Sequence, residues 1–82
     1  MIYRTTESIE AVLFKTFNYP YIGCKKIERP NGKTAIEFEF DVPRLETVKE
    51  MFKDYYNHVL MVDAYEHDEA VKFIRKEIYG YK

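Results

Sequence analysis

The apolar positions of the chain trace three helical stretches and one pair of strands. Ile9, Val12, Leu13 and Phe17 recur at i, i+3, i+4 and i+8, one stripe of a helix. Thr6 is a natural N-cap before them, and Glu7 and Glu10 fall where the helix dipole favours negative charge. Asn18 suits a left-handed C-cap and Pro20 forbids continuation, so a first helix is expected over about residues 7–17. Residues 21–28 and 34–41 then flank Arg29-Pro30-Asn31-Gly32-Lys33. Asn-Gly between two extended runs predicts a hairpin, because both residues tolerate φ > 0. In the second strand Thr34, Ile36, Phe38 and Phe40 take one face, and Ala35, Glu37, Glu39 and Asp41 the other. In the first strand Ile22 and Cys24 share a parity that Ile27 lacks, which predicts a bulge near Lys25-Lys26 or a snorkelling Lys25.

Pro43 fits a first helical position, and Leu45, Val48, Met51, Phe52 and Tyr55 form the apolar stripe of a second helix ending near Asn57. Residues 58–62 read as a short apolar connector that could pass as a third strand. Asp63 and Glu66 form a capping box for a third helix. Ala70, Val71, Ile74 and Ile78 give its core face with Phe73 beside it, and Gly80 stops it. The expected fold is α+β, a helix – antiparallel β-hairpin – helix – helix order (αββαα) with helices covering one face of a small sheet. A two-stranded ribbon is marginal alone, which is why its apolar face needs such a cover.

Size narrows the picture. Eighty-two residues without linker, repeat or low-complexity stretch make residues 1–82 a single domain. A chain this short buries ~60–65% of the surface its unfolded form exposes, so deep, water-excluding pockets are hard to build. Eight Tyr and six Phe let few side chains bury much area, which suits a small core. The net charge of −1 supplies no global pull toward nucleic acid or anionic membrane. Cys24 is the one cysteine and can form no internal disulfide, pointing to a reducing compartment. The opening residues carry acidic side chains and no apolar signal-peptide core, and no apolar run approaches the ~20 residues of a membrane helix. The expectation is a protein of the bacterial cytoplasm with no membrane contact.

Particular stretches add a likeness. Tyr3-Arg4-Thr5-Thr6 before an apolar helix, the Asn31-Gly32 hairpin, Phe52-Lys53-Asp54-Tyr55-Tyr56-Asn57, Val62-Asp63 and the closing Ile78-Tyr79 resemble a family of short proteins of unknown function. That family comes from bacteriophages and mobile elements of Gram-positive bacteria. The resemblance spans nearly the whole chain and implies a mobile-element accessory protein; it brings no catalytic residues with it.

His58, Asp63, His67 and Asp68 lie close in sequence, but Asp63 is claimed as an N-cap, and His67 and Asp68 point to different helix faces. No metal or other cofactor is expected. Cys24 lies in a strand far in sequence from both histidines, with no Gly-rich oxyanion turn, and Gly23, Gly32 and Gly80 make no phosphate loop. The chain therefore reads as a non-enzyme with no catalytic residues and no small-molecule substrate.

Three surfaces remain as binding candidates. Glu37, Glu39 and Asp41 make an acidic row that could pair with a basic partner, or with Lys26 across the hairpin if the turn sets that register. Lys25, Lys26, Arg29 and Lys33 surround the hairpin tip, where a ribbon could enter a nucleic-acid groove, although edge lysines also guard against aggregation. Tyr56, Tyr65, Tyr79 and Tyr81 cannot all face one small core, and exposed tyrosine is a common interface anchor. The leading expectation is a protein-interaction module, a homodimer among the options, using Tyr56, Tyr65 and Tyr81 or the acidic row. The alternative is an accessory nucleic-acid binder using the basic hairpin.

Overall fold

The Asn31-Gly32 turn sets the register of the sheet. In the computed structural model, which describes residues 1–80, β2 (Tyr21–Glu28) and β3 (Thr34–Asp41) are the strands on either side of it. Only Gly32 takes a positive φ, at 81°; Asn31 contributes instead through its side chain, whose Oδ1 accepts from the Lys33 N–H at 3.0 Å. The Gly32 N–H donates to the Arg29 carbonyl at 3.0 Å and the Arg29 N–H to the Lys33 carbonyl at 2.7 Å, closing the loop. This register places Lys25, not Lys26, opposite Glu37, and Lys26 opposite Ile36. The bulge lies earlier than the parity argument placed it, between Tyr21 and Gly23, with Ile22 as the extra residue. That one insertion turns both Tyr21 and Cys24 toward the Phe38/Phe40 side.

A third strand comes from an unexpected place. β1 (Ile2–Thr5) pairs antiparallel with β3, from Ile2 opposite Asp41 to Thr5 opposite Phe38. The sheet order is β1-β3-β2, so β3 is central and the element order is βαββαα. The connector at 58–62 forms no strand.

The helices are α1 (Ser8–Thr16), α2 (Leu45–Tyr56) and α3 (Ala64–Tyr79). α1 begins one residue later than expected, with Glu7 at its N-cap position and no side-chain cap bond. The buried Thr5, rather than Thr6, orders the turn ahead of the helix: its Oγ1 accepts from the Glu7 N–H at 3.0 Å and donates to Glu10 Oε1 at 2.6 Å. Thr6 Oγ1 instead accepts from Arg29 Nη2 at 2.8 Å. Asn18 closes the helix in the left-handed conformation, φ 60°, and the Tyr19 N–H reaches back to the Phe14 carbonyl. α2 starts at Leu45, leaving Pro43 outside it, and ends the same way, with His58 at φ 62° and the Val59 N–H on the Asp54 carbonyl. Asp63 caps α3, its Oδ1 accepting from the Glu66 N–H at 2.9 Å. Gly80 ends α3 without using its left-handed freedom, at φ −61°.

The core is aromatic and centred on Phe14. Its ring contacts Tyr3 of β1 and Phe40 of β3, both with centroids 5.2 Å away, and Phe52 of α2 and Tyr19, both at 5.6 Å. Tyr21 bridges Phe40 and Phe73 of α3 at 5.2 and 5.0 Å. Every helix thus sends a ring into one cluster with the sheet. The stripe expected for the first helix is rotated: Ile9 and Phe17 are exposed, whereas Ala11, Leu13, Phe14 and Thr16 are buried. In a helix this short two stripes compete, and the one that meets Tyr3 and Phe40 gains ring contacts worth about 0.5–1.5 kcal/mol each beyond area.

Two stability predictions follow from these contacts. Phe14→Ala lowers unfolding free energy by about 3–5 kcal/mol, because a fully buried ring leaves a cavity against four others. Asp63→Ala costs about 0.5–2 kcal/mol through loss of the cap. Urea unfolding of both variants checks the order.

Candidate functional site

The acidic row is neutralised within the sheet by one hairpin cation, by Arg4 of β1 and by the amine of Met1. Lys25 Nζ lies 3.6 Å from Glu37 Oε1, and Arg4 Nε donates to Glu39 Oε2 at 3.0 Å. Asp41 Oδ1 accepts from the amine of Met1 at 3.2 Å. Every carboxylate of the row therefore has a cation beside it, and the Glu37 and Glu39 side chains are only 19% and 20% exposed. Arg29 is held by Thr6, which leaves Lys26 and Lys33 projecting from the ribbon without an ion pair among the described residues. The acidic row is thus compensated, whereas among the described residues Lys25 alone of the hairpin cations takes part in that compensation. Arg4 is what sequence reasoning lacked, since its place opposite Glu39 depends on β1 joining the sheet.

The tyrosines part company. Tyr55 is half-buried and packs against the core, with Tyr56 edge-on at 5.1 Å. Tyr56 closes α2 and Tyr65 opens α3, and both rings are exposed. Tyr81 lies outside the described residues. Between Tyr56 and Tyr65 the apolar connector, which could have passed as a third strand, instead leaves Val59, Met61 and Val62 exposed. Beside it runs a shallow groove of about 270 Å³ lined by Leu13, Tyr55, Leu60 and Val62, with His58 and His67 at its rim. It continues between Ile9, Val12 and Val71 through the shared residues Leu13, Tyr55 and His67.

A second groove, of about 560 Å³, lies between α1 and α3. Lys15, Lys72, Arg75 and Lys76 supply its charge, and Phe73 and Tyr79 its aromatic wall. Lys15 Nζ stands 4.4 Å from the Phe73 ring centroid, within cation–π range. Glu66 and Glu69 close the end nearer the start of α3, and Glu69 Oε1 is 3.5 Å from Lys72 Nζ. Lys72, Arg75 and Lys76 stand at i, i+3 and i+4, a spacing that would have shown one basic helix face. The partner face carrying Lys15 is visible only once α1 and α3 are packed together.

No group of three or more His, Cys, Asp or Glu among the described residues is placed to hold a metal ion. His67 Nδ1 approaches Asp68 Oδ1 at 3.9 Å, while Asp63 is engaged as a helix cap. Cys24 is half-buried against the core beside the Tyr21 hydroxyl. That hydroxyl is enclosed and, among the described residues, has no hydrogen-bond partner of ordinary length, although Cys24 and Glu77 stand near it. Burial, then Cys24 and Glu77 alongside, pushes its pKa above the usual tyrosine value. Burial and the Glu10 charge raise Tyr3 as well. No helix among the described residues is long and apolar enough to cross a membrane.

The chain matches no protein-family model, no curated protein and no solved structure. The physical reading of its surfaces therefore stands on the geometry alone.

Tyr21 gives a pH prediction. Its raised pKa means the folded chain holds the phenolic proton more tightly than the unfolded one. That contribution is complete below the unfolded value of about 10 and is lost as pH rises past it. Tyr21→Phe removes the loss, and at neutral pH it changes stability little, because the hydroxyl has no partner of ordinary length among the described residues. Denaturation midpoints at pH 7 and at about pH 10.5 should fall less in the variant than in the wild type.

Proposed function

We propose that the chain is a non-enzymatic protein-interaction module that grips its partner through the end of the molecule where α2 meets α3. The observation that carries this reading is the exposure of large apolar side chains within one ten-residue stretch. Tyr56 is 65% exposed, Val59 62%, Met61 87% and Tyr65 69%. Leaving such groups in water forgoes roughly 25 cal/mol for each Å² of apolar surface, a loss that a partner covering them recovers. Tyrosine and methionine are enriched at interface cores, and Tyr56 packs edge-on against Tyr55.

In this reading the helices cover one face of the sheet. The acidic row Glu37, Glu39 and Asp41, already paired, tunes encounter rather than affinity. The partner is a host or phage protein, or a second copy of this chain. The setting is the cytoplasm of a bacterium carrying the phage or mobile element that the sequence resemblance implies. Nucleic-acid binding through the hairpin ranks second, since Lys25 and Arg29 are engaged within the protein.

The test compares two variants against wild type in sedimentation and in affinity capture with nuclease added. Tyr56→Ala combined with Tyr65→Ala weakens the captured complex, or the self-associated dimer, by more than about 2 kcal/mol if either ring is a hot spot. Reversing Lys25, Lys26, Arg29 and Lys33 to Glu changes mainly the association rate. Selective damage by the charge reversal, with nuclease-sensitive capture, would establish the hairpin reading instead.

A further inference from the structure

We propose that the groove between α1 and α3 binds a nucleotide, its phosphate among Lys15, Arg75 and Lys76 and its base against the Tyr79 end of the aromatic wall. This site is separate from the α2–α3 end and does not depend on it. Its charge is the first argument. Four cations line the groove against two glutamates. Lys15 and Lys76 each lie in the last turn of a helix, whose C-terminus carries about half a negative charge. Counting both helix ends with both glutamates still leaves a surplus of about one positive charge before any ligand arrives. Elsewhere the chain does the reverse, pairing the carboxylates of β3 one by one. Lys15, Arg75 and Lys76 have no ion pair among the described residues.

Shape is the second argument. From Glu66 to Tyr79 the groove follows α3 for about 20 Å at 1.5 Å per residue. Its volume of about 560 Å³ lies in the range of small-ligand sites. The cations occupy the middle, the exposed Tyr79 ring one end and the glutamates the other. A phosphate at the centre has a ring surface on one side for a base to stack upon. On the other side Glu66 and Glu69 repel a further phosphate and accept from hydroxyl or amino groups. Cation and aromatic side by side are the chemistry that recognises a nucleotide rather than a bare anion. The nucleotide is either free or one unit of a single strand.

Isothermal titration of the whole chain with AMP, with inorganic phosphate and with a four-nucleotide single strand tests this. At low salt AMP binds with Kd below about 1 mM, and inorganic phosphate binds more weakly than AMP. A strand that binds more than tenfold tighter than AMP and weakens steeply with salt identifies the strand as the source. Equal or weaker strand binding identifies the free nucleotide. Arg75→Gln with Lys76→Gln lowers affinity roughly tenfold, as expected for losing charge-assisted contacts. Both positions are exposed, and circular dichroism confirms that the fold is kept. Lys15→Met, which keeps an apolar stem over Phe73, gives the same loss from the other helix. Lys49→Gln with Lys53→Gln, both exposed on α2 and outside the groove lining, leaves affinity unchanged. The proposal is overturned if neither AMP nor the strand binds below 1 mM, or if phosphate alone binds as tightly as AMP. Groove variants that bind like wild type overturn it equally.

Discussion

The stacking of Phe14 against the sheet is the contact on which the rest of the molecule depends. It touches rings from β1, β3 and α2, and the residue that follows α1's left-handed cap, Tyr19, closes over it. Area alone would let another large apolar residue take its place. The cluster needs an aromatic at that position, because neighbouring rings meet it at interplanar angles of 36° to 65°, in the tilted and edge-on arrangements that the ring quadrupole favours. With no Trp in the chain, Phe and Tyr carry this role throughout. The polar tips of Tyr3 and Tyr21 enter the interior with their rings, and their raised pKa values record that burial.

Charge follows a different logic on each side of the protein. Across the sheet, cation and carboxylate stand opposite each other in register, so that surface is neutral at short range although rich in charge. Such exposed pairs contribute little stability, commonly under about 1 kcal/mol each, and their main effect is to remove a field. Along α3 the charges are segregated by position instead, with Glu66, Asp68 and Glu69 near the N-terminus and Lys72, Arg75 and Lys76 toward the C-terminus, as the helix dipole favours, Glu77 being the exception. The packing of α1 against α3 then adds Lys15 to the basic half. Segregation of this kind creates a field where the sheet cancels one.

How much of this was legible in the sequence depended on sequence distance. The hairpin strands were read to the residue, because alternation and an Asn-Gly turn are local signals. The Asp63 cap was equally local and equally clear. β1 was missed since four residues, Ile2 to Thr5, are too few to show a period, and their partner lies beyond an intervening helix and strand. The same omission hid the Arg4–Glu39 pair, and Thr6, expected as the cap of α1, is engaged by Arg29 while Glu7 takes the N-cap position. The stripe of α1 was misphased because Phe14 gains its advantage only from rings that the fold brings to it. Of the binding candidates, Tyr56 and Tyr65 lie exposed; the connector was legible as an apolar stretch, but its exposure was not, because a run this short carries no periodic signal of which face is buried. The basic groove was overlooked for the opposite reason, being split between two helices far apart in the chain.

The sheet order β1-β3-β2 has a consequence for how the chain is made. Its first strand finds no partner until the central strand exists, and that strand is completed only at Asp41. At a synthesis rate of about 5–20 residues per second, β1 waits roughly 2–8 s after it is made. Meanwhile the hairpin, closing within microseconds, offers β3 with one edge already taken by β2 and the other open. Docking of the nascent amino-terminal segment onto that open edge is therefore the late, non-local step of maturation. It is also the step most exposed to a rival strand from a neighbouring ribosome, which would enter the same vacancy and exchange segments between two copies of the chain.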